Sequence, residues 1–193
     1  MSVTMWFDPA CPFTWRTSRW LRSQAESRGE QVTWRLMSLA VLNEGREVPE
    51  QFREGHRQGA RALRVLAAAQ EHGGSRAVGD LYTELGTRRH DEGGQYDGKT
   101  IAEALAAAGL PAELAAAADD ESRDQAVRAS HEEGQARVGQ ESGTPVVAFG
   151  DHPGFFGPIL SAVPTGEDAA RLYDGVAALA GVTVFSELKR ARA

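Results

Sequence analysis

Val3-Thr4-Met5-Trp6-Phe7-Asp8-Pro9-Ala10-Cys11-Pro12-Phe13-Thr14-Trp15 holds a strand, a break and the start of a helix, with one thiol at the junction. The run Val3 to Phe7 is apolar and rich in strand formers, and Asp8-Pro9 stops it. A helix-like pattern opens around Cys11, where Pro12 suits the first turn because its absent N–H is not missed there. The spacing therefore predicts a thiol at the amino end of a helix. Free backbone N–H groups and the positive end of the helix dipole meet at such a place, and both favour thiolate over thiol. The competing reading is a small buried hydrophobe.

The fourth position of the motif, Thr14, defines the expected chemistry. In a dithiol Cys-x-x-Cys site the second thiol attacks the mixed disulfide and releases the substrate. A threonine hydroxyl can donate a hydrogen bond to the Cys11 thiolate but cannot form a disulfide with it. Any mixed disulfide on Cys11 must then be resolved by a thiol from another molecule. Thr14 could instead be a first-turn residue whose hydroxyl bonds the backbone.

Outward from this stretch, Trp20, Leu21 and Ala25 recur at helical spacing, Gly29 closes that helix, and Gln31 to Leu36 alternates like a strand. Strand, helix, strand in so short a span is a βαβ unit with a right-handed crossover. From Pro49 to Gly139 the chain is rich in Ala, Glu, Arg and Gln at helical periods. Helices are predicted over Pro49–His72, Ala77–Arg89 and Thr100–Ala108. Another is opened by Pro111, and one more ends near Val138. His90 to Gly94 reads as a polar turn. Strand character returns at Pro145–Phe149, a turn leads to Phe155-Phe156 as a hairpin, and Glu167–Ala180 closes as an amphipathic helix. The predicted division is residues 1–48 and 140–193 as one unit, with 49–139 a helical insertion.

The 193 residues, 41% hydrophobic and 25% charged, describe an ordinary globular domain. A net charge of −6 without a basic tail argues against nucleic-acid binding. No secretion signal and no apolar run of membrane-span length is legible, and one cysteine excludes an internal disulfide, so a cytoplasmic location away from membranes is expected. His131-Glu132-Glu133 lacks a second histidine at metal spacing, and no glycine-rich phosphate loop appears. Neither a metal nor a tightly bound nucleotide is expected. Arg53, Arg57, Arg61 and Arg64 recur along one helical face, either to hold an anion or, by the simpler reading, as a solvated face offset by nearby acids.

The element order, the cysteine at the first strand–helix junction and the Thr144-Pro145 pair resemble the DsbA-like α/β class, a thioredoxin fold with an inserted all-helical domain. Within it the chain resembles the mycothiol-dependent nitroreductase group. Trp6-Phe7-Asp8-Pro9, Cys11-Pro12, Thr17-Ser18-Arg19-Trp20, Met37-Ser38-Leu39-Ala40 and Pro49-Glu50-Gln51-Phe52-Arg53-Glu54-Gly55 carry the resemblance. So do Gly143-Thr144-Pro145, Phe155-Phe156-Gly157-Pro158 and Glu187-Leu188-Lys189-Arg190. The group's usual Cys-Pro-Trp-Cys stands here as Cys11-Pro12-Phe13-Thr14, without the indole and the resolving thiol.

The resemblance implies mycothiol as thiol co-substrate and small electrophilic or disulfide compounds as substrates. It also implies that Thr144-Pro145 is a cis-proline facing Cys11, with the Thr144 backbone pairing an extended thiol substrate. Read alone, Pro145 is an ordinary strand-opening trans proline. By position, Asn43, Phe52 and His90 would surround the pocket; His90 is the one with acid–base capacity near neutral pH, unless it is simply solvated. Phe13 and Trp15 either line a groove or join the core. The apolar tail through Phe185 and Leu188 and the resemblance together are compatible with a homodimer. Three functions follow: a monothiol oxidoreductase acting through Cys11, a thiol S-transferase or isomerase of the kappa-class kind with Cys11 incidental, and a redox-inactive binding protein.

Overall fold

The computed structural model describes residues 2–140 and 142–191. Strand β1 (Val3–Phe7) runs into helix α1 (Pro12–Ser27), which returns the chain to β2 (Val32–Leu36), parallel to β1. A short helix α2 (Leu39–Leu42) leads to the helices α3 (Glu50–Gly86), α4 (Gly98–Ala107) and α5 (Asp124–Val138). The chain then re-enters the sheet as β3 (Val146–Phe149) and β4 (Phe155–Phe156) and finishes in α6 (Gly166–Ala180). The strand order is β2-β1-β3-β4, with β3 antiparallel to both neighbours. This is the thioredoxin arrangement with helices inserted between β2 and β3.

Strand alternation divides β1 between two apolar layers. Val3, Met5 and Phe7 join the main core, while Trp6 packs with Met37, Val146 and Ala148 on the opposite face. The main core runs without a break from the sheet into the inserted helices through Leu63, Leu66, Val78 and Leu81. Strand β2 is an edge, and side chains of the inserted helices cover it: Ser75 Oγ accepts from the Trp34 N–H at 2.7 Å and Ser130 Oγ from the Leu36 N–H at 3.0 Å. Two backbone donors that an open edge would leave to solvent are thus satisfied.

Helix α3 is interrupted where the sequence placed the break. Gly74 has φ of 65°, a conformation that costs glycine little and a side-chain-bearing residue much. The second half overruns its predicted end into a π-helical turn, Thr87–Asp91, so His90 lies in helical backbone and not in an open polar turn. The segment after Pro111 is a 3-10 helix, Ala112–Asp119, where an α-helix was expected. Its alanines let it pack close along α3.

Candidate active site

Asp8, at the end of β1, fixes the loop that presents the thiol. Its carboxylate is buried and accepts from the Ala10 N–H at 2.8 Å and the Leu39 N–H at 2.7 Å, tying the loop to the start of α2. Burial pushes its pKa up to about 6, against the smaller opposing effect of those two N–H groups. The Pro9 carbonyl accepts two hydrogen bonds, from Tyr96 Oη at 2.6 Å and His90 Nε2 at 2.8 Å. A carbonyl only accepts, so His90 carries its proton on Nε2. Burial lowers the His90 pKa and keeps the ring neutral, and the ring stacks on Trp15 at 5.8 Å.

Cys11 is the N-cap of α1, with extended backbone, and Pro12 follows in the first turn. The Cys11 Sγ lies 3.8 Å from the Thr144 carbonyl oxygen, to which the S–H donates. Thr144 Oγ1 donates to the Trp6 carbonyl at 3.2 Å, so Thr14 Oγ1, 3.2 Å away, donates to Thr144. The Thr144–Pro145 peptide bond is cis, as is Gly157–Pro158. Cys11, Thr14, Thr144 and Pro145 therefore form one buried cluster at the amino end of α1, with exposed Pro12 and half-buried Phe13 at its rim.

The expectation of a thiolate favoured by its surroundings does not hold in the resting protein. Cys11 is 5% exposed, and burial pushes its thiol above the ordinary 9.0. The Thr14 hydroxyl and the N–H groups of Thr14 and Phe13 pull the other way, and the Asp8 carboxylate adds to the rise. The helix end supplies the stabilising groups foreseen, but desolvation outweighs them. At neutral pH Cys11 is a thiol with an occupied proton. The Thr14 hydroxyl is also within hydrogen-bond distance of Thr144 Oγ1.

The remaining anticipated residues lie apart from this cluster. Asn43 caps α2, with Nδ2 donating to the Leu39 carbonyl at 2.8 Å. It lines a cleft of about 440 Å³ with Arg46, Glu47, His56 and Arg57. Phe52 is 52% exposed near the start of α3. His90 reaches the site only through the Pro9 carbonyl. A second cleft, of about 450 Å³, opens at Pro12 and runs along α1 past Arg16 and Arg19 to His90, Asp91 and Ser161. The arginine stripe on α3 is a paired surface: Arg53 with Glu50, Arg57 with Glu54, Arg61 with Asp119 and Arg64 with Asp124.

Residues 10–190 match the family described as Rv2466c-like, mycothiol-dependent nitroreductase Rv2466c. The chain belongs to this family. It is 32% identical over 193 residues to the uncharacterized protein Rv2286c of Mycobacterium tuberculosis (strain ATCC 25618 / H37Rv), an alignment spanning 98% of this chain and 81% of that protein. Among solved structures, the probable DsbA oxidoreductase SCO1869 from Streptomyces coelicolor superposes with a TM-score of 0.63 at 20% identity, covering 100% of this chain and 94% of that one. A 2-hydroxychromene-2-carboxylate isomerase also gives 0.63 at 14% identity, over 94% and 96%. At these identities the two structures establish the shared DsbA-like fold. Within the Rv2466c-like family this chain has a single cysteine.

Sequence reading missed Asp8, Tyr96 and Asp91 as parts of the site. Asp8 was legible only as a strand stop, although a carboxylate between a buried strand and a helix start is well placed to accept loop N–H groups. Tyr96 sits far along the chain in a polar stretch, and nothing local signals its approach to Pro9. Asp91 accepts from Trp15 Nε1 at 2.9 Å, a contact only the π-helical turn makes.

Proposed function

We propose that this protein is a cytoplasmic monothiol reductase in which Cys11 attacks small disulfide or electrophilic substrates and mycothiol resolves the product. The observation that carries the reading is the placement of the only cysteine thiol 3.8 Å from the Thr144 carbonyl, with a threonine where a resolving thiol would stand. An extended thiol substrate pairing with the Thr144 backbone would bring its sulfur to Cys11. The Cys11 proton leaves to solvent, the thiolate attacks one sulfur of the substrate disulfide, and the other sulfur departs as thiolate. A mycothiol thiolate then attacks the substrate-derived sulfur of the mixed disulfide and frees Cys11. A second mycothiol attacks the resulting mycothiol–substrate disulfide, so that both substrate sulfurs leave as thiols and the pair of electrons comes from two mycothiols that end as mycothiol disulfide.

The raised thiol pKa favours reduction over oxidation. A strongly oxidising disulfide owes its potential to a stabilised reduced thiolate. Here burial destabilises the thiolate, so the Cys11 sulfur holds its substrate as a poor leaving group and leans towards the reductant side. The cleft beside Asn43, His56 and Arg57 mixes donors and acceptors, as a polyhydroxylated thiol requires, and α3 brings it next to the thiol loop where Gly59 packs on Ala10.

The protonated resting sulfur also favours a second reading. In a thiol transferase or isomerase the bound co-substrate would supply the thiolate, and the Cys11 S–H or the Thr14 hydroxyl would only donate to it. Intact mass after incubation with mycothiol disulfide separates the two. A stable adduct on Cys11, released by further mycothiol and absent from Cys11→Ser, supports the reductase; turnover that survives Cys11→Ser removes it.

A further inference from the structure

Two half-buried arginines of α1 differ from the arginine stripe of α3. Each arginine of the α3 stripe has a carboxylate partner, yet among the described residues Arg16 and Arg19 have none within ion-pair distance. Arg16 lies over the Phe13 ring at 5.8 Å. Arg19 stacks on Trp15 at 4.1 Å and donates to Thr83 Oγ1 and Ser18 Oγ, while its Nη2 is shielded from solvent with no acceptor at all. A largely buried cation without a counter-ion is costly, and an unfilled guanidinium N–H adds to that cost.

Both side chains line the cleft that opens at Pro12, next to the thiol. The other ionisable groups there are Asp91, one of whose oxygens is engaged by Trp15 Nε1, and His90, which is neutral and donates to Pro9. Ser161, Ala162 and Val163 form the uncharged wall. Two guanidinium charges therefore face one carboxylate, a net positive cleft on a chain of net charge −6. Counted along the helix axis at 1.5 Å per residue, Arg16 lies about 8 Å and Arg19 about 12 Å beyond Cys11.

We infer that this cleft is an anion-binding subsite of the thiol site, in which Arg16 and Arg19 receive the carboxylate of an aromatic or similarly compact substrate whose electrophilic sulfur reaches Cys11. The inference rests on the monothiol reading above and names the substrate class it would take. The missing counter-ion of Arg19 is then supplied by the substrate.

The test compares two nitroaryl disulfides of opposite charge character. These are 5,5′-dithiobis(2-nitrobenzoate), which carries two carboxylates, and 2,2′-dithiobis(5-nitropyridine), which carries none. Release of the coloured thiolate is followed for the wild type, Arg16→Gln, Arg19→Lys and the Arg16→Gln/Arg19→Gln pair. The anionic disulfide should react at least about tenfold more slowly with the double variant and lose its advantage in high salt, while the neutral one changes by less than about twofold. Arg19→Lys, which keeps the charge, should retain most of the anionic rate. Equal losses for both disulfides, or no loss for either, would overturn the subsite. Binding of 5-methylthio-2-nitrobenzoate, which has the carboxylate but no disulfide to attack, is titrated calorimetrically in parallel. If it binds the wild type and not the double variant while neither disulfide reacts, the subsite stands and the monothiol reading fails. If it binds both proteins equally, the subsite fails.

Discussion

Thr14 donates its hydroxyl hydrogen to the side chain of Thr144, 3.2 Å away, the residue whose carbonyl oxygen lies 3.8 Å from the sulfur of Cys11. A residue at that position in the first turn of α1 lies within reach of both the cap and the loop before β3. The threonine uses this reach to brace the two segments, where a cysteine would use it to close a disulfide.

Thr14→Cys should therefore recover an internal disulfide. Oxidation of that variant is expected to remove two hydrogens from the intact mass without adding a small-molecule thiol. The mixed disulfide that accumulates on the wild type should become transient, because a resolving thiol now stands in the chain. A variant that remains a stable mixed disulfide would show that position 14 is held away from the sulfur.

The protonation state of Cys11 gives a second expectation. With the thiol raised above 9.0 by burial, its reaction with a neutral disulfide should still be climbing at pH 9 and show no plateau near neutrality. Asp8 contributes to the rise and Thr14 opposes it. Asp8→Asn should thus move the pH–rate profile down and Thr14→Val should move it up, each by several-fold in rate at pH 7. Opposite shifts in the two variants are the signature; parallel shifts would point to loop distortion instead.

The architecture was legible because it depends on local periods. The apolar run before Asp8, the alternation in Val32–Leu36 and the double glycine at 73–74 each encode an element by themselves. The electrostatic state of the sulfur was not, because it depends on how deeply the loop is buried by segments remote in sequence. His90, from the π-helical turn, and Tyr96, from the loop before α4, cover Pro9, and Thr144 covers Cys11 from the strand side. A motif shows that a helix N-terminus is near; it does not show how much water the fold leaves there. The unpaired Arg16 and Arg19 were hidden for the same reason, since a sequence reveals a basic stripe on α3 but not which arginines find acids.

Asp8 also makes a term of the protein's stability depend on pH. Its pKa rises from 3.8 to about 6 on folding, so between those values the folded chain binds more protons than the unfolded one. Stability from this group therefore falls as pH rises through that window and is constant above it, by about 3 kcal/mol at the upper limit. Asp8→Asn removes the term and leaves one N–H of Ala10 or Leu39 without its acceptor, a constant cost of about 1–3 kcal/mol. Urea unfolding at pH 4 and pH 7 should show the stability of the wild type relative to Asp8→Asn rising at the lower pH by about 2 kcal/mol or more. A gap independent of pH would mean that Asp8 is ionised in the folded chain across the whole range.

The last prediction concerns the face of α3 that seats Trp15. A Cβ placed on Gly86 would stand 2.2 Å from Cζ3 of the Trp15 ring, far inside van der Waals contact. Trp15 cannot simply rotate away, because its indole N–H is held by Asp91, its faces by His90 and Arg19, and its edge by Tyr82. Gly86→Ala gains helix propensity of about 1 kcal/mol, but the overpacking it forces costs about 1–3 kcal/mol or more. The net change should be destabilising. It should also reach the thiol: displacing Trp15 loosens the His90 ring that donates to Pro9, one residue from the bend that presents Cys11. The expected result is a lower unfolding midpoint, an altered tryptophan emission and a changed rate of Cys11 with a neutral disulfide. Gly55→Ala, on the same helix where a Cβ meets nothing within 4 Å, should be neutral or stabilising and leave that rate unchanged.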